Sequence, residues 1–141
     1  MSRIYWDTML FVYWIEEHPA HATQVRRIFE KMEKRGDTLC TSVLTLGELL
    51  VGPKKQRSVS MADRIRHFFG TPAVDLLPFT PATAEHYADI RAANRITPAD
   101  AVHLASAASA GVDLFLTNDR RLRGLVIPGI HFIAGMDSDI L

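Results

Sequence analysis

Short apolar runs alternating with stretches of helical periodicity constrain this chain more than any other feature. Ile4-Tyr5-Trp6, residues 37–41, residues 74–77, Leu114-Phe115-Leu116 and residues 130–133 each have the length of a strand. Between them lie segments with helical signals. Residues 9–15 read as a largely buried helix, and residues 21–34 repeat Val25, Ile28, Phe29 and Met32 on one face before Gly36 ends the helix. Ser42 caps a helix over 43–51 that Gly52-Pro53 stops, leaving Lys54 to Ser58 as a basic connection. Met61, Ile65, Phe68 and Phe69 share the apolar side of a further helix, opposite Asp63, Arg64 and Arg66. Pro81 opens a helix to about residue 94, and Thr97-Pro98 opens another, rich in alanine and serine, that runs to Gly111. This alternation predicts right-handed βαβ units: an α/β chain with helices on both faces of a short, mostly parallel sheet of about five strands. The whole of residues 1–141 is expected to form a single domain, since no repeat, low-complexity segment or long linker divides it.

Composition narrows the class without naming a function. Apolar residues make up 48% and charged residues 23% of the chain, as in ordinary globular proteins. No apolar run reaches the roughly 18 residues a membrane-spanning helix needs, and no secretory signal is evident, so a cytoplasmic location is expected. Cys40, the single cysteine, has no internal partner and reads as a small buried hydrophobe. Sixteen Lys and Arg against sixteen Asp and Glu give no overall attraction to polyanions, so any nucleic-acid contact must come from local patches.

The chemistry sits in four acidic residues. In parallel α/β folds the binding crevice lies at the carboxyl ends of the strands, and Asp7 and Asp119 each follow an apolar run closely enough to project at that edge. Each also has a plainer reading. Asp7 could be a helix cap, Asp119 a turn or cap residue, and Asp100 part of a capping pattern with Thr97. Glu48 is harder to explain that way. Its helix, Val43-Leu44-Thr45-Leu46-Gly47-Glu48-Leu49-Leu50-Val51, is apolar nearly all round and is expected to be buried, so an unpaired carboxylate there would lose its hydration. Glu48 is therefore expected to face a polar crevice or a cation. If the four converge, mutual repulsion keeps them from ionising together unless a cation intervenes. Oxygen donors without a His/Cys cluster favour Mg²⁺ or Mn²⁺, which leave positions open for a phosphate oxygen and an attacking water.

Ile4-Tyr5-Trp6-Asp7-Thr8, Thr41-Ser42-Val43-Leu44-Thr45-Leu46-Gly47-Glu48-Leu49-Leu50-Val51-Gly52-Pro53, Pro98-Ala99-Asp100-Ala101-Val102-His103-Leu104-Ala105 and Leu114-Phe115-Leu116-Thr117-Asn118-Asp119-Arg120-Arg121-Leu122 together resemble the PIN-domain ribonucleases. The likeness is greatest to the toxin components of VapBC-type toxin–antitoxin pairs, and it runs in order from residue 4 to about residue 133. It implies a three-layer α/β/α PIN-like fold and an acidic quartet at Asp7, Glu48, Asp100 and Asp119 that holds Mg²⁺ or Mn²⁺. It also implies support for that site from Thr8, Thr117 and Asn118. The activity implied is that of an endoribonuclease, often a homodimer, silenced by an antitoxin protein whose tail enters the active-site groove. Met9 departs from the pattern, because relatives often carry a small polar residue there.

Other residues carry weaker signals. Lys54, Lys55 and Arg57 are candidates for the RNA backbone, as are Arg120 and Arg121 together with their neighbour Arg123, although a solvated surface accounts for each as well. His103 is one turn beyond Asp100 and could bond a ligand carboxylate, but a histidine satisfied in packing is the commoner case. Trp6, Trp14, Phe68 and Phe69 read as core or dimer contacts, and Asp137 and Asp139 as solvent-facing tail. Among rival readings, a phosphoacceptor receiver lacks its Asp after the third strand, where Pro78-Phe79 stand, and its Lys after the fifth, where Ala134-Gly135 stand. A non-catalytic interaction module of the same fold and a DNA-directed nuclease remain as alternatives.

Overall fold

The computed structural model describes residues 1–139 and 141. The elements run β1 (Arg3–Trp6), α1 (Thr8–Ile15), α2 (Ala22–Arg35), β2 (Thr38–Ser42), α3 (Val43–Lys55), α4 (Val59–Phe69) and β3 (Asp75–Leu77). They continue with α5 (Pro81–Ala93), α6 (Pro98–Ala110), β4 (Leu114–Thr117), α7 (Arg120–Arg123) and β5 (Phe132–Gly135). The strands form one five-stranded sheet in the order β3-β2-β1-β4-β5, and every pairing is parallel.

The period of two along β1 divides the core. Ile4 and Trp6 face Leu10 and Phe11 of α1, Val25 and Met32 of α2, and Ile65 and Phe69 of α4. Tyr5 faces the opposite way, against Ile90 of α5, Ala101, Leu104 and Ala105 of α6, and Phe115 of β4. Helices thus cover both faces, as an all-parallel sheet requires, and the layers are α/β/α. Cys40 is buried in the α5–α6 side of the core. On α6, Ala101, Ala105 and Ala107 are fully buried, and these small side chains let the helix backbone lie close to the sheet and to α5.

Three expectations need correction. Helix α3 does not stop at Gly52-Pro53 but continues to Lys55, with Pro53 inside it. The missing Pro53 N–H deprives only the carbonyl one turn earlier, and the helix ends where Arg57 takes a left-handed φ of 54°. Lys54 and Lys55 therefore belong to its last turn, where cations complement the helix dipole, and not to a loop. Nor is α3 buried all round. Only Thr45 and Leu49 are buried, while Val43 and Val51 are exposed, so its apolar content does not mark a core helix. Finally, β5 begins two residues later than the apolar run suggests. Ile127 and Ile130 are buried in the core before the strand starts, which explains an apolar signal that is not strand.

The order of the strands positions the functional edge. From central β1 the chain builds outward through β2 and β3 on one side, then returns to place β4 and β5 on the other. The carboxyl ends of β1 and β4 flank the point where that direction reverses, which is where open α/β sheets form a crevice.

Candidate active site

Asp7 leaves β1 at this reversal point, and its backbone N–H is still held by the Leu116 carbonyl of β4 at 3.2 Å. The side chain is buried. Its Oδ1 caps α1 by accepting from the Met9 N–H at 3.1 Å, and its Oδ2 accepts from the Thr117 hydroxyl. Burial pushes the Asp7 carboxyl above its usual range, and the Thr117 bond offsets part of that. Thr117 has a second role. Its Oγ1 accepts the Asp119 N–H at 3.0 Å, so one hydroxyl ties the acid after β1 to the acid after β4.

Glu48 projects from α3 towards α1 and α6. Its Oε1 accepts from the Thr8 hydroxyl at 2.6 Å and from His103 Nε2 at 2.9 Å. The His103 bond in particular holds the Glu48 carboxyl below the usual range, although about a third of the side chain is exposed. A carboxylate only accepts, so Nε2 carries the proton, and Nδ1 is left to accept from the Tyr5 hydroxyl at 2.7 Å. Tyr5 in turn accepts the Ser42 N–H at 3.2 Å, and a Thr41–Thr45 pair at 2.7 Å lies beside it, with Thr45 3.4 Å from Thr8. A buried polar cluster therefore fixes the bases of α1, α3 and α6 against one another.

Asp100 and Asp119 lie across from this pair. Asp100 is in the first turn of α6, where its own N–H is capped by Thr97 at 3.2 Å, so Thr97 supplies half of a capping box and the carboxylate is not used by it. Asp119 caps the short α7 through the Arg121 N–H at 2.9 Å. The Arg121 guanidinium then forks over both Asp119 oxygens, with Nε at 3.0 and 3.2 Å and Nη2 at 2.6 Å, and Nη2 also stands 3.8 Å from Asp100 Oδ2. This contact is the main reason the Asp119 carboxyl lies below its ordinary range.

The four acids are thus linked in a chain: Glu48 to Thr8, which adjoins Asp7; Asp7 through Thr117 to Asp119; and Asp119 through Arg121 to Asp100. They form two groups, each with a basic side chain in it, and do not make one closed cage. Among the described residues, no three His, Cys, Asp or Glu side chains gather closely enough to hold a metal ion by themselves. The plainer readings also hold in part, because Asp7 and Asp119 are helix caps. Capping uses one oxygen of each and leaves the other for different work.

Of the remaining expected residues, Thr8 and Thr117 contact the acids directly. Asn118 does not, since its amide donates to the Tyr13 hydroxyl at 2.9 Å and ties the β4 turn to α1. Lys54, Lys55 and Arg57 are exposed, and Lys55 lies seven residues after Glu48, on the same side of α3. Arg120 is exposed. Arg123 is committed elsewhere: it pairs with Asp137 at 3.1 Å, and its guanidinium lies where a Cβ on Gly135 would collide with it. Asp137 is accordingly an ion-pair partner and not merely tail. Sequence reasoning missed Tyr5 and undervalued His103. The available signal was that a histidine inside an alanine-rich helix needs partners for both ring nitrogens, and that Tyr5 shares its face of β1 with Asp7.

Comparison with known proteins bears on the fold. No curated protein matches the chain. Among solved structures it is similar to VapBC2 from Rickettsia felis bound to a DNA fragment from its promoter, at 19% identity and a TM-score of 0.75 over 94% of this chain and 98% of that one. It is similar to DNA-bound VapBC from Salmonella typhimurium at 25% identity and a TM-score of 0.67, covering 96% of this chain and 99% of that one. The VapBC-5 complex of Mycobacterium tuberculosis, a member of the VapBC family of toxin–antitoxin systems, is similar at 20% identity and a TM-score of 0.59, covering 94% and 98%. The PIN domain matches residues 4–126, most of the chain, and so the chain belongs to the PIN domain family.

Proposed function

We propose that this PIN domain is an endoribonuclease dependent on Mg²⁺ or Mn²⁺, and that it is the toxin of a toxin–antitoxin pair. The family is generally one of nucleases. The observation that carries the reading is the linkage of Asp7, Glu48, Asp100 and Asp119 at the switch-point edge of the sheet. Oxygen-only donors suit a hard divalent cation, and a positively charged guanidinium already lies between Asp119 and Asp100, so the charge of the site fits one. Asp7, Glu48, Asp100 and Asp119 would hold the cation, which would supply Lewis acidity for phosphodiester hydrolysis. The protein's part is placement. Thr117 orients Asp7, His103 and Thr8 orient Glu48, and the α6 N-terminus presents Asp100. Lys54, Lys55, Arg57, Arg120 and Arg121 are the contacts proposed for the RNA backbone.

An antitoxin partner has a fitting surface. Phe11, Trp14, Met61, Ile65 and Phe68 line an open groove of about 260 Å³ between α1, α2 and α4, where Arg26 and Arg64 outnumber the one acid, Glu17. That combination suits an amphipathic segment bearing acidic residues. A homodimer in the cytoplasm is proposed on the resemblance, and Met9 and Val43 are exposed apolar side chains that a second copy could cover. No helix among the described residues is long and apolar enough to cross a membrane.

The test is cleavage of RNA by purified protein with Mg²⁺ or Mn²⁺, set beside Asp100→Asn and a matched single-stranded DNA. Metal-dependent cleavage of RNA by the wild type, lost in Asp100→Asn, supports the reading. Equal residual activity in both proteins points to a contaminant and to a non-catalytic interaction module, and preference for the DNA points to a DNA-directed nuclease.

A further inference from the structure

We infer that Arg121 is a metal-gated arm: in the absence of a divalent cation it neutralises Asp119 and Asp100, and cation binding releases it to hold a phosphate of the substrate. The inference rests on the nuclease reading above. Its basis is a conflict over the same oxygens. Arg121 places Nε and Nη2 on both oxygens of Asp119, within 3.2 Å, and Nη2 reaches towards Asp100. A divalent cation shared by these acids would need the same lone pairs, and at such separations it would repel the guanidinium strongly. Only one positive group can hold the position. The helix cap survives the exchange, since the Arg121 backbone N–H reaches Asp119 Oδ1 from the α7 side.

The geometry also makes release easy. The Arg121 side chain is 74% exposed, and among the described residues it pairs only with these acids. Exposed ion pairs are weak and screened by salt, so the arm gates the site without sealing it. Once displaced, the guanidinium remains beside the carboxylates on a short helix, with its planar fork free. That fork matches two oxygens of a phosphate, which a lysine ammonium does not. Neither neighbouring arginine is held by the acids in this way: Arg123 is paired with Asp137 and packed on Gly135, and among the described residues Arg120 makes no ion pair with them. The arm therefore couples two ligands positively. A bound cation creates a phosphate-binding group, and by reciprocity a bound phosphate favours the cation.

Two measurements on wild type, Arg121→Gln and Arg121→Lys test this, with matched melting temperatures confirming folding. The first is Mn²⁺ binding without RNA, followed by the spectroscopic signal of the free ion at low salt. The second is fluorescence anisotropy of a fully phosphorothioate single-stranded RNA added to the Mn²⁺-loaded proteins. The Gln variant is expected to bind Mn²⁺ more tightly, by up to about five-fold, as removal of an exposed ion-pair competitor allows. The same variant is expected to bind the RNA several-fold more weakly, with its salt slope smaller by about one. The arm is told from a fixed surface charge by repeating the RNA titration in chelator: the wild-type advantage over the Gln variant is expected to shrink there, and an advantage equal with and without Mn²⁺ overturns the inference. The Lys variant keeps the charge without the fork and should not recover the RNA affinity. Equal Mn²⁺ affinity in wild type and Gln variant, or equal RNA affinity, overturns the inference while leaving the nuclease reading intact. A wild type that binds no Mn²⁺ overturns both.

Discussion

Asp7 has different work for each of its two oxygens, one closing the first turn of α1 and the other receiving the Thr117 hydroxyl. Because burial raises its carboxyl pKa in the fold, the ionised form costs stability there. That cost is absent below the unfolded-state pKa, where Asp7 is protonated in both states, and is fully felt once pH exceeds the raised folded value. Asp7→Asn should therefore raise the melting temperature of metal-free protein at neutral pH by a few degrees, and the gain should vanish at strongly acidic pH. Glu48 has the opposite sign. His103 lowers its pKa, so its contribution is present above the ordinary carboxylate range and lost as pH falls through the lowered value. Thermal melts in chelator across the acidic range check both, and an Asp7→Asn protein that melts lower than wild type at neutral pH would contradict this account.

At the scale of elements, helices were more legible than their limits. Alternating apolar runs were enough to expect a parallel sheet, because the same three- to five-residue pattern recurs at each strand. What one-dimensional pattern could not convey was which apolar residues face solvent. Val43 and Val51 look like core in a sequence and are exposed, while Ile130 looks like strand and is a core residue of a loop. The candidate acids could be picked out because strand ends and helix starts are local features. The residues behind them, Tyr5, Thr41 and His103, were less legible, since these contacts join residues 35 or more apart. The α6 helix depends on small side chains. Ala105→Leu should destabilise the protein by about 1–3 kcal/mol through overpacking between helix and sheet, as read by urea denaturation. Ala92→Leu, at an exposed position of α5, is the control and should change little.

For the molecule as a whole, the site is a place where folding and metal binding share one free energy. A cation that binds only the folded state adds about 2.7 kcal/mol at a hundredfold excess over its Kd. For a chain of this size that is roughly 10 °C in melting temperature. Wild type should show a rise of that order with saturating Mn²⁺, and an Asp7→Asn/Asp100→Asn double variant should show little. A similar rise in both would place the ion elsewhere on the surface.

The placement of β4 has a further consequence for a cell that makes this protein. β4 and Asp119 follow β1 by more than a hundred residues, yet they insert directly beside it. A polypeptide still emerging from the ribosome has Asp7 and Glu48 but neither the strand that anchors Thr117 nor the acid that follows it. On the nuclease reading, a nascent copy that has not yet reached β4 lacks the complete set of acids, and the message that encodes the enzyme is safe from it until then.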